Sequence, residues 1–166
     1  MSNGGFLLVD ANVLIDYQAA DLAILTRVSR HIGKVHIVSS VLAEVEGLDE
    51  AECKRLGFCV VEPTLVQATE AAQANRRLSF PDRTCLVVCR DNGLTCVSND
   101  KALRRACLSV GVPVRWGLEL MLDLVQHGQL SADEAATAAE RLHNANPVFV
   151  NATILAVFRK KLTAMD

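Results

Sequence analysis

Four acidic residues stand where a carboxylate can do chemistry: Asp10, Glu44, Asp82 and Asp100. Asp10 closes the apolar run Phe6–Val9, and a helical pattern begins directly after it. Glu44 falls one turn into the helix expected after a second strand. Asp82 opens a helix, and Asp100 follows a fourth strand. Singly, each has an ordinary explanation, because Asp and Glu near helix N-termini cap free N–H groups and complement the helix dipole. As a set they say more. Ligands of open α/β sheets bind outside the carboxyl ends of the strands, and three of the four are expected there. Asp82 joins them only if the loop before its helix folds over the same edge.

If the four converge, electrostatics limits what they do. Two carboxylates about 4 Å apart repel by about 4 kcal/mol at an effective dielectric near 20. Such a cluster must hold protons or a divalent cation. All-oxygen donors suit Mg²⁺ or Mn²⁺ rather than zinc. A magnesium ion on carboxylates, with open water positions, is suited to hydrolysing a phosphodiester.

The elements that position these residues follow from pattern. Phe6–Val9, Val35–Val38, Phe58–Val61, Leu94–Val97 and Val112–Trp116 read as short strands, the last an edge strand with an early proline. Helices are expected over 10–19, 22–31, 41–46, 49–56, 64–77, 81–91, 100–110, 117–127, 131–145 and 151–161. Ser39 or Ser40, Asp21 and the pair Ser98-Asn99 are candidate caps, and Ser131-Ala-Asp-Glu134 is a capping box. Alternation of strands and helices predicts an α/β fold, a parallel sheet between helical layers. The chain of 166 residues is long enough for one domain with a proper core, and the helices after Gly128 read as an extension of it.

Composition narrows the setting. Hydrophobic residues make up 51% and mean hydropathy is +0.24, which excludes a disordered chain. No apolar run nears the ~18 residues that span a bilayer, and no basic flank precedes an apolar core, so a cytoplasmic protein without a signal peptide is expected. Six cysteines without a Cys-x-x-Cys pair fit a reducing compartment. Cys85 and Cys89 share a helix face as a metal half-site at most, and small buried hydrophobes are the better reading. The formal net charge of −2 does not fit coating of nucleic acid by bulk charge. A local basic patch is therefore needed for any phosphate backbone, and Arg76, Arg77, Arg83, Lys101, Arg104 and Arg105 flank the acidic positions. His31, His36, His127 and His143 have no ligand-like spacing, and Asp16 and Asp91 read as solvent-facing or capping. With 4% aromatics there is no stacking platform for bases.

The order of motifs resembles the PIN-domain ribonucleases, most closely stand-alone VapC-type toxins. Val9-Asp10-Ala-Asn12-Val-Leu-Ile-Asp16 is similar to the family's opening motif, and Ser40-Val-Leu-Ala-Glu44-Val to its second. Leu78-Ser-Phe-Pro-Asp82-Arg-Thr-Cys-Leu and Leu94-Thr-Cys-Val-Ser98-Asn99-Asp100-Lys-Ala-Leu-Arg resemble the third and fourth. The resemblance covers about residues 6–125. It implies a PIN-like three-layer α/β/α sandwich with a five-stranded parallel sheet, strand one central. It also implies an Mg²⁺- or Mn²⁺-dependent endoribonuclease whose catalytic and metal-binding residues are Asp10, Glu44, Asp82 and Asp100, with Asn12 and Ser98 as polar supports. RNA as substrate and a small antitoxin as partner come with it. The apolar helices over 22–32 and 41–47 add the expectation of a homodimer. Two departures stand out: Pro81 sits where the family often has a small residue, and the stretch after Gln126 is less typical.

Two other readings compete. A haloacid-dehalogenase-like phosphatase also places Asp after its first strand, but it needs Asp-x-Asp, and Asn12 is an amide that cannot serve as the acid. A binding or regulatory domain with an idle metal site is the other. No Gly-x-Gly-x-x-Gly, Gly-x-x-x-x-Gly-Lys or Gly-x-Ser-x-Gly motif points to a nucleotide cofactor or a serine hydrolase.

Overall fold

The computed structural model describes residues 5–73 and 77–165. Its centre is a five-stranded, all-parallel sheet of β1 (Leu7–Val9), β2 (Val35–Val38), β3 (Cys59–Val61), β4 (Thr95–Val97) and β5 (Val114–Arg115), in the order β3-β2-β1-β4-β5. Leu7 of the central β1 pairs with Val35 on one side and with Thr95 on the other. All of β1 is buried, as its unbroken apolar run demands in a sheet covered on both faces.

Two groups of helices flank the sheet. On one side α1 (Ala11–Ala20), α2 (Leu22–His31) and α8 (Glu119–Gln126) pack with α9 (Ala132–Ala145) and α10 (Ala152–Thr163). On the other, α6 (Phe80–Asn92) packs against α3 (Ser39–Leu42), α5 (Leu65–Gln73) and α7 (Lys101–Ser109). The short α4 (Glu50–Leu56) ends in Gly57 at φ +88°, beside α2, where Ser29 Oγ donates to the Gly57 carbonyl at 2.7 Å. Among the described residues, no helix is long and apolar enough to cross a membrane.

Most expected elements form, with instructive differences. The helix after β2 is a single turn, Ser39–Leu42, capped by neither serine's side chain, so Glu44 lies in the turn that follows rather than inside a helix over 41–46. Asp100, not Ser98-Asn99, caps α7: its Oδ1 accepts from the N–H groups of Ala102 (2.8 Å) and Leu103 (3.1 Å). The end of the helix expected over 64–77 falls partly outside the described residues, as does Arg76.

The C-terminal helices are built onto the body. α9 lies against α1 through buried Ala135, Ala138, Ala139 and Leu142, three of them small enough for close approach. One continuous core runs from Leu7 to Leu162.

Candidate active site

β1 delivers the chain directly into α1, and Asp10 is the joint. Its backbone N–H donates to the Val97 carbonyl at 3.1 Å, which continues the pairing with β4 by one residue. Its Oδ1 accepts from the Val13 N–H at 2.8 Å and caps α1. The chain leaves β1 toward β2 while β4 lies on the opposite flank, so Asp10 stands at the switch point of the sheet, where open α/β folds form their crevice.

Only 1% of Asp10 is exposed. The hydroxyl of Ser98, itself fully buried at the end of β4, donates to Asp10 Oδ2 and accepts from the Asp100 N–H at 3.0 Å. One hydroxyl thus ties two acidic segments together. Burial pushes the Asp10 carboxyl up to about 7; the Ser98 and Val13 hydrogen bonds oppose the rise, and the charges of Asp82 and Asp100 add to it.

Asp82 arrives from the other direction. α6 runs back along the sheet before β4, so its first turn lies at the strands' carboxyl ends, and no loop has to fold over the edge. Ser79 caps the helix by accepting from the Asp82 N–H at 3.2 Å, and Pro81 occupies the first turn, where its missing donor costs nothing. Burial raises the half-buried Asp82 above the usual carboxylate range, opposed by Ser79 and reinforced by Asp100 and Glu44. The fold therefore brings Asp10, Asp82 and Asp100 within electrostatic reach of one another, and Glu44 within reach of Asp82. Glu44 is the outermost and exposed.

The four are strung along the strands' carboxyl edge and do not close around one point. Among the described residues, no three His, Cys, Asp or Glu side chains are gathered closely enough to hold a metal ion. The donor chemistry nonetheless fits a hard divalent cation. Every donor is an oxygen, and the two raised carboxylates are raised in part by their neighbours' charge, which a cation would relieve. Asn12 is half-buried in the first turn of α1 and makes no side-chain hydrogen bond among the described residues.

Several supporting groups escaped sequence reasoning. Asn99 Oδ1 accepts from the Gly117 N–H at 2.9 Å, and the buried Tyr17 hydroxyl donates to the Gly117 carbonyl at 2.6 Å. A β-carbon at Gly117 would stand 3.2 Å from Asn99 Nδ2 and 3.4 Å from Val13 Cγ2, so glycine suits this junction. Arg104 donates to the Ser98 carbonyl at 3.1 Å and lays its guanidinium over Trp116, 3.5 Å from the ring centroid. Arg104 was visible in the sequence as a cation near the site. Its use as a strut on the β4 terminus was not.

Asp16 corrects the sequence reading outright. It is not solvent-facing: 4% of it is exposed, and its Oδ1 accepts from Asn146 Nδ2 at 3.1 Å. Burial raises it to about 6, against the opposing Asn146 hydrogen bond. Asp91 is exposed, and its carboxylate accepts from Arg90 and Gln67. Five of the six free cysteines are buried, as small hydrophobes would be, and Cys59 is exposed.

No protein-family model matches the chain, and no curated protein sequence matches it.

Proposed function

We propose that this chain is a PIN-like endoribonuclease that hydrolyses RNA phosphodiester bonds with Mg²⁺ or Mn²⁺. The observation that supports the reading is the mutual electrostatic influence of Asp10, Asp82 and Asp100, with Glu44 acting on Asp82, at the carboxyl edge of a parallel sheet. These four would hold the cation, with Asn12 and Ser98 as polar supports. The bound cation would acidify the attacking water and offset charge on the phosphate. Ser98 orients Asp10 and Asp100 together, and the helix caps hold Asp10 and Asp100 in place. The choice of RNA and of a small antitoxin partner rests on the motif resemblance, the homodimer on the apolar helices over 22–32 and 41–47, and the cytoplasmic setting on composition.

The open arrangement of the carboxylates favours one alternative, an idle PIN-like domain that binds without cutting. One experiment separates the two. The chain is incubated with labelled structured RNA in Mg²⁺, Mn²⁺ or EDTA, beside identically purified Asp10→Asn and Asp82→Asn proteins, and Tm is recorded with and without Mn²⁺. The active reading expects metal-dependent cleavage that falls at least ~100-fold in both variants, since metal-ligand chemistry is worth several kcal/mol. It also expects a Tm rise with Mn²⁺ in the unaltered chain only. A Tm rise without cleavage supports the idle domain, and neither response removes the site.

A further inference from the structure

The C-terminal helices leave a groove whose lining holds none of the four acidic positions. Its volume is about 240 Å³, and it lies between α8 and α10. α10 lends it Ile154, Val157 and Phe158, with Lys161 one turn further on. Steps of three and four residues put all of these on one face of the helix. The facing wall is Trp116, just after β5, with Leu118 and Leu122. Leu118, Leu122 and Phe158 are buried at the base, whereas Val157 on the rim is 50% exposed.

Two charged groups border these apolar walls, and their circumstances differ. Glu119 is engaged: its Oε1 accepts from the Trp116 N–H at 3.3 Å, and its Oε2 lies 3.5 Å from Arg115 Nε. Lys161 is exposed and forms no ion pair among the described residues. An apolar groove with such a cation at one end is complementary to an apolar chain that ends in an anion. Shape agrees. Thr153 also lines the groove, eight residues before Lys161. That spacing is about 12 Å along the helix axis, so the groove is long rather than round. At ~30 Å³ for a water-sized group, its volume takes about eight methylene-sized units. Trp116 is held in place by the Arg104 guanidinium, 3.5 Å from the ring centroid. It is the only tryptophan of the chain, so its emission reports on the groove.

We propose that the α8–α10 groove binds a medium-chain carboxylate, with its alkyl chain between Leu122 and Phe158 and its carboxylate on Lys161. Such a site neither needs nor excludes the nuclease, and no cleavage assay enters its test. The full chain is titrated with hexanoate, octanoate and 1-octanol, read by Trp116 fluorescence and by Tm. Burying one methylene is worth about fourfold in affinity at most, so octanoate is expected to bind about five- to fifteenfold more tightly than hexanoate. An ion pair at the surface adds little, and octanoate is expected to exceed 1-octanol by about two- to fivefold. Lys161→Gln should erase that preference. Val157→Asp puts a carboxylate on the rim, where it repels the ligand and spoils the apolar wall; octanoate affinity should fall at least ~10-fold. At a half-exposed position it should move the ligand-free Tm little. Equal affinity for hexanoate and octanoate overturns the site, and so does octanoate binding that Val157→Asp leaves unchanged. A 1-octanol affinity equal to that of octanoate, or a preference that survives Lys161→Gln, overturns the carboxylate on Lys161. A chain whose fluorescence and Tm both ignore octanoate overturns the proposal outright.

Discussion

Two aspartates, six residues apart, are both buried and both raised in pKa, yet they belong to different chemistries. Asp10 has other carboxylates for neighbours and, among the described residues, no basic side chain that lowers it. Asp16 faces a single amide, Asn146, on the end of α9. Burial by itself therefore does not make a site. What separates the pair is the company: like charge gathered at a sheet edge in one case, a neutral donor inside a helix–helix contact in the other.

The comparison breaks first on activity. Asp10→Asn is expected to lose cleavage at least ~100-fold, whereas Asp16→Asn stays within about twofold of the unaltered chain in the same gel assay. Equal losses would mean that the two sites are one unit. Next in size is Ser98→Ala, which removes the hydroxyl shared by Asp10 and Asp100. Outer partners of metal ligands are commonly worth 10–100-fold, and we expect about tenfold in cleavage rate with KM little changed.

The remaining tests concern stability. The Asp16 carboxyl titrates near 6 in the folded chain against 3.8 when free. Between those values the folded state holds the extra proton, so the stability that the Asp16 proton contributes is fully present below about pH 4 and is lost as pH rises through 6. Asp16→Asn, which keeps an acceptor for Asn146, is expected to be more stable than the unaltered chain by about 2–3 kcal/mol at pH 7.5. Near pH 4 the two should match, and urea denaturation at both pH values measures this. Smallest is Asn146→Ala, which leaves a buried carboxylate without its donor and costs about 1–3 kcal/mol at pH 7.5. A gain from that substitution would show that the amide does not serve the carboxylate.

The parts visible in sequence were those set by local rules. Buried parallel strands need unbroken apolar runs, and Leu7–Val9 has one; Asp21 and the Ser131–Glu134 box announce their helices because an unpaired N–H needs an oxygen nearby. Strand-to-helix joints then put Asp10 and Asp100 at one edge. The errors arose where local rules left a choice or did not reach. Ser98 and Asp100 are both competent caps, and only tertiary structure decides that Asp100 takes the role, which releases the Ser98 hydroxyl for Asp10. Asp16 was misread because helical periodicity knows nothing of a second helix arriving 130 residues later. Glu44 was misplaced because β2 is followed by one turn, too short to show a period.

The contact between α1 and α9 also reaches the far end of its helix. α1 is ten residues long; its first turn is pinned by Asp10 and its flank is supported by α9, through Leu142 and the Asp16–Asn146 bond. A polypeptide cut after Gln126 would keep all four acidic positions, yet it would bare the back of the helix that Asp10 caps. The tail is thus a brace for the acidic edge, and shortening the chain is a way of loosening that edge without touching it.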